Sequence, residues 1–259
     1  MPAFVIAEMS CTDVAQAARA TDLCILPVGA VEAYGPHLPQ GSDGLVADRL
    51  AREVAERVSC FVAPLVPVGF SASLQEFPAT LSVPTMALRA YLAGLAESLL
   101  GLGVRRLLFL NGHAGNVAVI SDLVEELKRH HPVCRFAQVD LWRFLIPHAA
   151  PIMESTLPQG HAAETNTSVL LALAPHLVTM DRAVNNPPPQ DRFPEIIKYG
   201  GFRDRAPDAV LGDATRGSAE KGRGVVLRGV ERLVEFVQSP EFGRQDRANA
   251  DRLHPREGS

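Results

Sequence analysis

The sequence lacks several of the signals that would set its class at once. Its 259 residues include four cysteines, and no two of them form a C-x-x-C pair. Scattered cysteines are typical of reduced thiols in a cytoplasmic protein rather than of a disulfide framework or a cysteine metal site. No apolar run is long enough to span a bilayer. The first residues, MPAFVIAEMSCTD, lack the basic start and long apolar core of a signal peptide. We therefore expect a cytoplasmic protein that does not enter a membrane.

An excess of positive charge is also missing. The net charge is −4 and the isoelectric point is about 6.1, so nothing in the charge favours nucleic acid or an anionic membrane as a partner. The chain is 47% hydrophobic and 21% charged, which is typical of a globular protein. It shows no internal repeat and no low-complexity linker. A chain of this length can bury a large core, so we predict a single domain over residues 1–259.

What the sequence does have is a regular alternation of strand-like and helix-like segments. Short apolar runs predict strands, and apolar positions at helical spacing predict helices between them. This alternation predicts an α/β fold with a mostly parallel central sheet and helices on both faces. Residues 185–213 depart from the pattern, and we expect a long loop or excursion there. The predicted strands are 22–29, 61–67, 105–110 and 134–141, and the predicted helices are 44–58, 86–102, 116–130, 163–174 and 217–237.

Two polar segments follow predicted strands directly. VEAYGPHLPQGSD, residues 31–43, follows the first strand, and NGHAGN, residues 111–116, follows the third. Ligands of parallel α/β sheets bind beyond the carboxyl ends of the strands, so the two segments can meet there. Glu32, Asp43 and His113 would then form three protein ligands of a catalytic divalent ion.

Purely structural explanations for the same residues remain open at this point. Asp43 could cap the helix that follows it, and Glu32 could be a solvated loop carboxylate. Asn-Gly is a common turn dipeptide, so NGH could be only a turn. In favour of a site, two prolines stiffen residues 31–43. Gly112 and Gly115 would let backbone come close to an ion or a substrate.

Four ordered motifs bear on this choice. They are LPVGAVEAYGPHLPQGSD, NGHAGN, GHAAETNTS at residues 160–168 and GDATRGSAEKG at residues 212–222. Together they resemble the creatininase (creatinine amidohydrolase) family along nearly the whole chain. The resemblance implies a three-layer α/β/α sandwich and a metal-dependent hydrolase that forms a homo-oligomer, commonly a hexamer. Members open cyclic amides, remove formyl groups from amines or trim a peptide, and a reaction on cyclic ketones is also attributed to the family.

The resemblance also implies the metal ligands. The first ion of the family is held by a Glu, an Asp and a His, which match Glu32, Asp43 and His113. The Asp bridges to a second ion, whose His matches Tyr34 and whose Glu matches either Gly115 or Asn166. We therefore expect one intact site for zinc, manganese or iron and a doubtful second site. Asn166 could still offer its amide oxygen there.

The same comparison implies the remaining roles. His161 matches the catalytic histidine of the family, and Glu164 is the second catalytic candidate, orienting His161 or acting on the water. His37 is interpreted as a group that hydrogen-bonds a ligand carboxylate and so orients it, and its recruitment as a ligand is the alternative. Tyr34 is expected to donate its hydroxyl to the substrate or to fill the space of the missing ion. Trp142 follows the fourth strand and could line the pocket, although aromatic residues at a strand end are more often core residues.

These assignments predict a metal-dependent amidohydrolase that acts on a carbon–nitrogen bond other than a peptide bond. Its substrate would be a small polar molecule, either cyclic or formylated. One alternative is a carbon–carbon hydrolase of a cyclic ketone, because attack on a carbonyl starts both reactions. The other alternative is a degenerate, non-catalytic member that binds a ligand or supports an assembly.

Overall fold

The computed structural model describes residues 3–157, 159–193, 195–196 and 198–243; the remaining positions of the predicted domain lie outside the described residues. Strands and helices alternate along most of this part. The strands are β1 (Phe4–Val5), β2 (Leu23–Val28), β3 (Phe61–Val62), β4 (Arg106–Asn111), β5 (Arg135–Asp140), β6 (Asn185–Asn186) and β7 (Gly212–Asp213). The helices are α1 (Cys11–Ala17), α2 (Ser42–Arg57), α3 (Thr85–Leu102), α4 (Val117–His130), α5 (Leu141–Ala149), α6 (Glu164–Leu173) and α7 (Ala219–Gln238).

The central sheet is parallel throughout its five strands, which run in the order β1-β3-β2-β4-β5. Strand β2 lies in the middle and pairs with β4 over its full length, so that Val28 is the register partner of Asn111. The two strands therefore end at the same level. The predicted α/β fold with a mostly parallel sheet is confirmed.

Two hydrophobic cores lie on opposite faces of this sheet. Successive side chains of a strand point to opposite faces, and Ile25 belongs to one core whereas Cys24 and Leu26 belong to the other. The first core packs against α2, α5, α6 and α7, and the second against α1, α3 and α4. Helices thus cover the sheet on both sides, and the result is the predicted three-layer sandwich.

The strand expected at 61–67 is much shorter than its apolar run suggests. Strand β3 ends at Val62, and the rest of the run keeps one isolated bridge between Val28 and Val66. Pro64 and Pro67 explain the difference, because proline has no N–H to donate to the ladder. The structure also adds elements that were not predicted, among them β1, α1 and α5.

The excursion predicted at 185–213 is built of loop and of the two-stranded antiparallel ribbon β6–β7, as far as the structure describes it. Part of it folds back over the chain that follows β2. Phe202, Ala206 and Ala209 form a small apolar cluster with Ala33 and Phe77, among others. The excursion therefore covers the loop that carries Glu32. Within the described residues, no helix combines the length and the apolar character that crossing a membrane requires.

Candidate metal centre

The candidate centre forms where β2 and β4 end side by side. The chain leaves β2 after Val28 and reaches Glu32, and it leaves β4 after Asn111 and reaches His113. The hydrogen bond from the Glu32 N–H to the Gln40 carbonyl, 3.0 Å long, closes the loop after β2. These local features bring both loops to one edge of the sheet, as parallel topology requires.

Glu32, Asp43 and His113 converge at this edge and are all buried. His113 Nδ1 lies 3.1 Å from Glu32 Oε2 and 3.2 Å from Asp43 Oδ2. The prediction that these three side chains come together is met by their geometry. Asp43 is the second residue of α2, so it lies inside the first turn and is not the N-cap, which is Gly41. A carboxylate at this end of a helix is favoured by the helix dipole.

The donor set fits one divalent ion. Ligand atoms at about 2.0–2.2 Å from a tetrahedral ion lie roughly 3.3–3.6 Å from one another, which is close to the distances between His113 Nδ1 and the two carboxylates. Glu32 Oε2 is buried, and among the described residues no donor outside the triad satisfies it; its polar contact is His113 Nδ1 at 3.1 Å. A buried carboxylate oxygen without a donor is costly unless a cation accompanies it. Two carboxylates and one imidazole suit zinc, manganese or iron.

The other side of the His113 ring is held by the chain that follows β3. Nε2 lies 2.9 Å from the Phe70 carbonyl oxygen and 3.2 Å from Ser71 Oγ. Because a carbonyl only accepts, Nε2 carries a proton, and Nδ1 is the ring nitrogen that faces the carboxylates and that an ion between them would use. Asn116 accepts the Phe70 N–H at 2.9 Å and so fixes this carbonyl.

The charges around His113 shift its acidity strongly. Burial lowers the pKa of His113, but the hydrogen bonds and charges of Asp43 and Glu32 outweigh burial and raise the pKa to about 10. Without an ion the ring is therefore protonated, and the two carboxylates hold a positive charge at this place. A divalent cation would be attracted to the same place for the same reason.

Two glycines allow the NGH segment to lie against the start of α2 and against the chain that follows β3. A Cβ added to Gly112 would lie 2.3 Å from the Asp43 carbonyl oxygen, and one added to Gly115 would lie 2.2 Å from the Phe70 oxygen and 2.5 Å from His113 Nε2. Any side chain at either position would push the histidine or the helix start away. The expectation that both glycines serve close backbone approach agrees with these distances.

Asp43 has a further partner on the other side of its carboxylate. Trp142 Nε1–H donates to Asp43 Oδ1 at 2.8 Å, and the buried ring of Tyr34 lies nearby. Burial, then the charges of Asp43 and Glu32, raise the pKa of Tyr34 well above its usual value, so the phenol keeps its proton. Trp142 thus packs against the first core, as expected of an aromatic residue at a strand end, and its N–H also reaches the site. The signal that could have identified it is its place directly after β5, at the edge of the sheet that carries the site.

Asn166 is tied to the same group. Its Oδ1 accepts the Ala163 N–H at 3.1 Å, and its Nδ2 donates to the Tyr34 hydroxyl at 3.1 Å. The backbone N–H fixes which end of the amide is the oxygen. The expectation that Asn166 offers its amide oxygen to an ion is corrected, because that oxygen already binds the first turn of α6.

His161 lies beside the triad. Its Nε2 is 2.7 Å from the Ala33 carbonyl oxygen, and its Nδ1 is 4.0 Å from Glu32 Oε1. The ring is flanked by Tyr34, whose centroid is 4.5 Å away, and by Phe202 at 5.1 Å. Its backbone pairs with Leu211, which ties the segment before α6 to the excursion. Phe202 was not identified from the sequence, since a long loop gives no periodic signal.

Glu164 does not face His161. Its buried carboxylate accepts the backbone N–H groups of Glu154 and Ser155 and the Lys221 ammonium, which is 2.7 Å from Oε1. Burial raises the pKa of Glu164, but Lys221 and the N–H groups outweigh burial and keep the pKa below its usual value. The expectation that Glu164 orients His161 is corrected, because its hydrogen bonds within the described residues all serve the loop after α5 and the start of α7.

His37 has a different partner from the one expected. Its Nε2 lies 2.8 Å from Thr167 Oγ1 in α6, and its Nδ1 is buried without a hydrogen bond to the described residues. Burial lowers the pKa of His37 to about 4, so the ring is neutral at pH 7. The interpretation that His37 hydrogen-bonds a ligand carboxylate is corrected. It joins the loop after β2 to α6 instead.

Comparisons with known proteins agree with this geometry. Residues 7–237 match the family model described as creatininase, creatinine amidohydrolase. A mycofactocin precursor peptide peptidase of Mycobacterium ulcerans is 29% identical over 90% of this chain and 91% of its own length. A creatinine amidohydrolase of Pseudomonas putida is 30% identical over 86% of this chain and 92% of its own. A 3-dehydro-scyllo-inosose hydrolase of Thermotoga maritima is 28% identical over 96% of this chain and 86% of its own.

The fold of this chain is also similar to solved creatininase structures over nearly its whole length. A mutant creatininase of zinc–zinc type superposes with a TM-score of 0.83 at 26% identity, over 94% of this chain and 100% of the other. A manganese form of creatininase gives a TM-score of 0.80 at 26% identity, over 93% of this chain and 100% of the other.

Proposed function

Because this chain belongs to the creatininase family, we propose that it is a metal-dependent hydrolase that cleaves a carbon–nitrogen amide bond in a small polar substrate. The observation that carries the proposal is the buried triad of Glu32, Asp43 and His113, with one carboxylate oxygen that has no hydrogen-bond donor outside the triad among the described residues. Curated relatives of this chain are hydrolases of creatinine, of a precursor peptide and of an inosose. Hydrolysis is what these relatives have in common.

The triad residues would hold the ion. A divalent ion bound there would lower the pKa of a coordinated water to about 7 and polarise a substrate carbonyl. Glu32 and Asp43 supply two negative charges, and His113 supplies Nδ1 because its Nε2–H is engaged by the Phe70 carbonyl. The ring cannot turn without losing that bond, so its orientation is fixed before any ion arrives.

His161 is the proposed carrier of the proton. Because Nε2–H donates to the Ala33 carbonyl, Nδ1 has the free lone pair, and it is directed toward Glu32 at 4.0 Å. An imidazole in this position can take a proton from the attacking water and return it to the leaving nitrogen. Tyr34 and Phe202 pack against the ring and restrict its motion. Glu164 has no part in this scheme and holds the neighbouring loop.

One specific finding favours a second candidate reaction. The relative from Thermotoga maritima is a hydrolase of 3-dehydro-scyllo-inosose, a cyclic ketone by its name, and the likeness covers 96% of this chain. Attack of water on a ketone carbonyl needs the same ion and the same proton carrier, and the bond that breaks then joins two carbons. The substrate decides between the two reactions, since the residues at the centre serve both.

A reduced, cytoplasmic homo-oligomer is part of the same proposal. The four cysteines are free, and Cys24 and Cys60 are buried, where burial raises the pKa of both thiols and keeps them inert. Size-exclusion chromatography with light scattering would give the number of subunits. A monomer would overturn this part of the proposal and leave the chemistry untouched.

The test combines metal content with turnover. Protein purified without chelator would be analysed for metal, together with His113→Ala, His161→Gln and the control His130→Ala, which alters an exposed histidine at the end of α4. We expect the first variant to lose both ion and activity, the second to lose activity alone, and the control to lose neither. The substrate panel would contain a cyclic amide, a formylated amine, a short peptide and a cyclic ketone. Protein that stays metal-free after reconstitution would refute the proposal.

A further inference from the structure

The reactive groups of the candidate centre have little contact with solvent. The side chains of Glu32 and Asp43 are each 2% exposed, that of His113 is 9% exposed and that of His161 is 16% exposed. A substrate has to meet both the triad and the proton carrier, and groups this deeply buried cannot be reached by a molecule of several heavy atoms. Part of the cover must therefore move in each reaction cycle.

The cover beside His161 comes from the excursion, and we call residues 201–209 the strap. Phe202, near its start, lies edge-on to the His161 ring, with 5.1 Å between the ring centroids and 73° between the planes. The strap also packs against Ala33, whose carbonyl oxygen accepts the His161 Nε2–H at 2.7 Å. The strap thus contacts the proton carrier and the residue that orients it.

The strap packs into a small apolar cluster that is separate from the two main cores. Its buried residues share this cluster with Ala33, Leu74 and Phe77 and belong to neither core. Val210, directly after the strap, is by contrast a member of the first core. Because few apolar contacts hold the strap, it can open at a smaller cost than the helices of the sandwich. The buried residues of the strap are Phe202, Ala206 and Ala209.

The two ends of the strap have the properties of hinges. A Cβ added to Gly200 would meet nothing within 4 Å, so the chain is unobstructed there. At the other end, Ala209 has a φ of 53°, a conformation that an alanine keeps only where the surrounding structure imposes it. The closed strap is therefore held by its contacts and not by the preference of its own backbone.

Arg203 and Glu76 fasten the strap to the chain that follows β3. The Arg203 N–H donates to Glu76 Oε1 at 2.6 Å, and Arg203 Nη2 donates to the Glu76 carbonyl oxygen at 2.8 Å. The same guanidinium lies 4.6 Å from the centroid of the Phe77 ring. Both Arg203 and Glu76 are exposed, so water can satisfy their polar groups when the contact breaks. This contact can therefore act as a reversible latch.

Phe202 also bears on the orientation of His161. The hydrogen bond to Ala33 fixes Nε2, but a single hydrogen bond leaves the plane of an imidazole free to tilt. The rings of Tyr34 and Phe202, whose centroids are 4.5 and 5.1 Å from that of His161, restrict this tilt. Tyr34 is in place whether or not the strap is closed, since it belongs to the first core. The direction of His161 Nδ1 therefore depends on Phe202.

We propose that residues 201–209 form a strap that lifts to admit the substrate and is latched by Arg203 and Glu76. When the strap closes, Phe202 acts as a positioning residue that sets the plane of the His161 ring. The inference rests on the proposed function, in which His161 carries the proton. The strap would thus complete the centre only around a covered substrate, with bulk water excluded.

Hydrogen exchange followed by mass spectrometry tests the latch without any substrate. The full chain would be compared with Glu76→Ala, which removes the acceptor of the Arg203 N–H, and with the control Gln75→Ala, which alters the exposed residue beside it. We expect the strap amides to exchange at least about tenfold faster in Glu76→Ala. The control should match the wild type, and the amides of α3 should not change in either variant. Strap amides that exchange at the wild-type rate in Glu76→Ala would overturn the proposed latch.

Phe202→Leu tests the positioning role, with Phe202→Tyr as the conservative variant. The matched control is Tyr199→Leu, because the Tyr199 side chain is 95% exposed. In chelator-treated protein at one pH, the proton NMR signals of the His161 ring, assigned by their loss in His161→Gln, should move in Phe202→Leu and return toward their wild-type positions in Phe202→Tyr. The control should leave them unchanged. Unmoved His161 signals in Phe202→Leu would overturn the positioning role.

Turnover gives the second measurement of this role. With any compound of the substrate panel that the wild type hydrolyses, Phe202→Leu should lower kcat by about 10–100-fold and change KM by less than about twofold. Phe202→Tyr should recover most of the kcat, and Tyr199→Leu should keep it. A wild-type kcat in Phe202→Leu, or an equal loss in Tyr199→Leu, would contradict the proposal. A wild type that hydrolyses no compound would refute the proposed function alone, since hydrogen exchange and NMR would still decide whether the strap is latched and holds His161.

Discussion

Replacing Glu164 by glutamine separates an anchoring role from a catalytic one. The Glu164 carboxylate is fully buried and accepts four hydrogen bonds, two from the Glu154 N–H at 3.0 and 3.1 Å, one from the Ser155 N–H at 2.7 Å and one from the Lys221 ammonium at 2.7 Å. Glutamine keeps the shape of the side chain but offers one oxygen in place of two and has no charge. Its NH₂ group would face either a backbone N–H or the Lys221 ammonium. Both are donors, so no hydrogen bond could form there.

The expected loss follows from these contacts. A hydrogen bond to a charged group contributes about 1.5–3 kcal/mol, and breaking a buried ion pair from one side costs about 3–5 kcal/mol. The Lys221 side chain is 16% exposed and keeps Glu154 as a second carboxylate at 3.4 Å, so the loss should be below the upper figure. We expect Glu164→Gln to lower the free energy of unfolding by about 2–3 kcal/mol. Glu154→Gln, which alters an exposed carboxylate beside the same lysine, should cost less than about 0.5 kcal/mol.

Urea denaturation followed by circular dichroism measures both variants, and an unchanged m-value shows that the comparison is valid. The pH dependence gives a second check. Because the folded-state pKa of Glu164 is lowered, its contribution is complete above the pKa of the unfolded carboxyl, about 4.3, and is lost as the pH falls through the folded-state value. The reasoning would be refuted if Glu164→Gln unfolded at the wild-type urea concentration and yet abolished turnover, because Glu164 would then take part in the chemistry.

Three further predictions concern the surroundings of the ion. The pKa of His37 falls from 6.5 in the unfolded chain to about 4 in the folded protein, so its neutral form contributes in full above about pH 6.5. Roughly 3 kcal/mol of stability should be lost as the pH falls toward 4, and His37→Gln should flatten that part of a pH series of urea midpoints. Gly112→Ala should cost at least about 2 kcal/mol and abolish metal binding, because the added Cβ meets the Asp43 carbonyl oxygen at 2.3 Å. Gly94→Ala, where the Cβ meets nothing within 4 Å in a helix, should instead stabilise the protein by about 0.5–1 kcal/mol, and equal urea midpoints for the two variants would contradict this reasoning. Trp142 is the single tryptophan and donates to Asp43, so its fluorescence should change when Mn²⁺ is added to chelator-treated protein and saturate at one ion per chain; an unaltered spectrum at saturation would contradict that contact.

Five of the helices, α2, α3, α4, α6 and α7, could be predicted closely because each has an apolar stripe of its own. The predicted helix at 86–102 and the observed α3, Thr85–Leu102, differ by one residue, since the pattern extends over several turns. The length of strand β3 was overestimated because an apolar run indicates that residues are buried but not that they are hydrogen-bonded in a sheet. The prolines in this run interrupt the hydrogen-bond ladder. Helix α5 was missed because its Pro147 lies inside a helical segment, where proline is a breaking signal.

By itself, the sequence determined the fold class and which acids and histidine meet at the centre. Local order brings the two polar segments together, because segments that come directly after parallel strands must emerge at one edge of the sheet. The resemblance of the four motifs then selected the ligands among the alternatives that local order left open. The partners of those side chains were decided only by the tertiary structure. Trp142 reaches Asp43 across 99 positions of sequence, and Asn166 reaches Tyr34 across 132. No spacing rule encodes such contacts, since they depend on how α2, α5 and α6 pack together above the sheet.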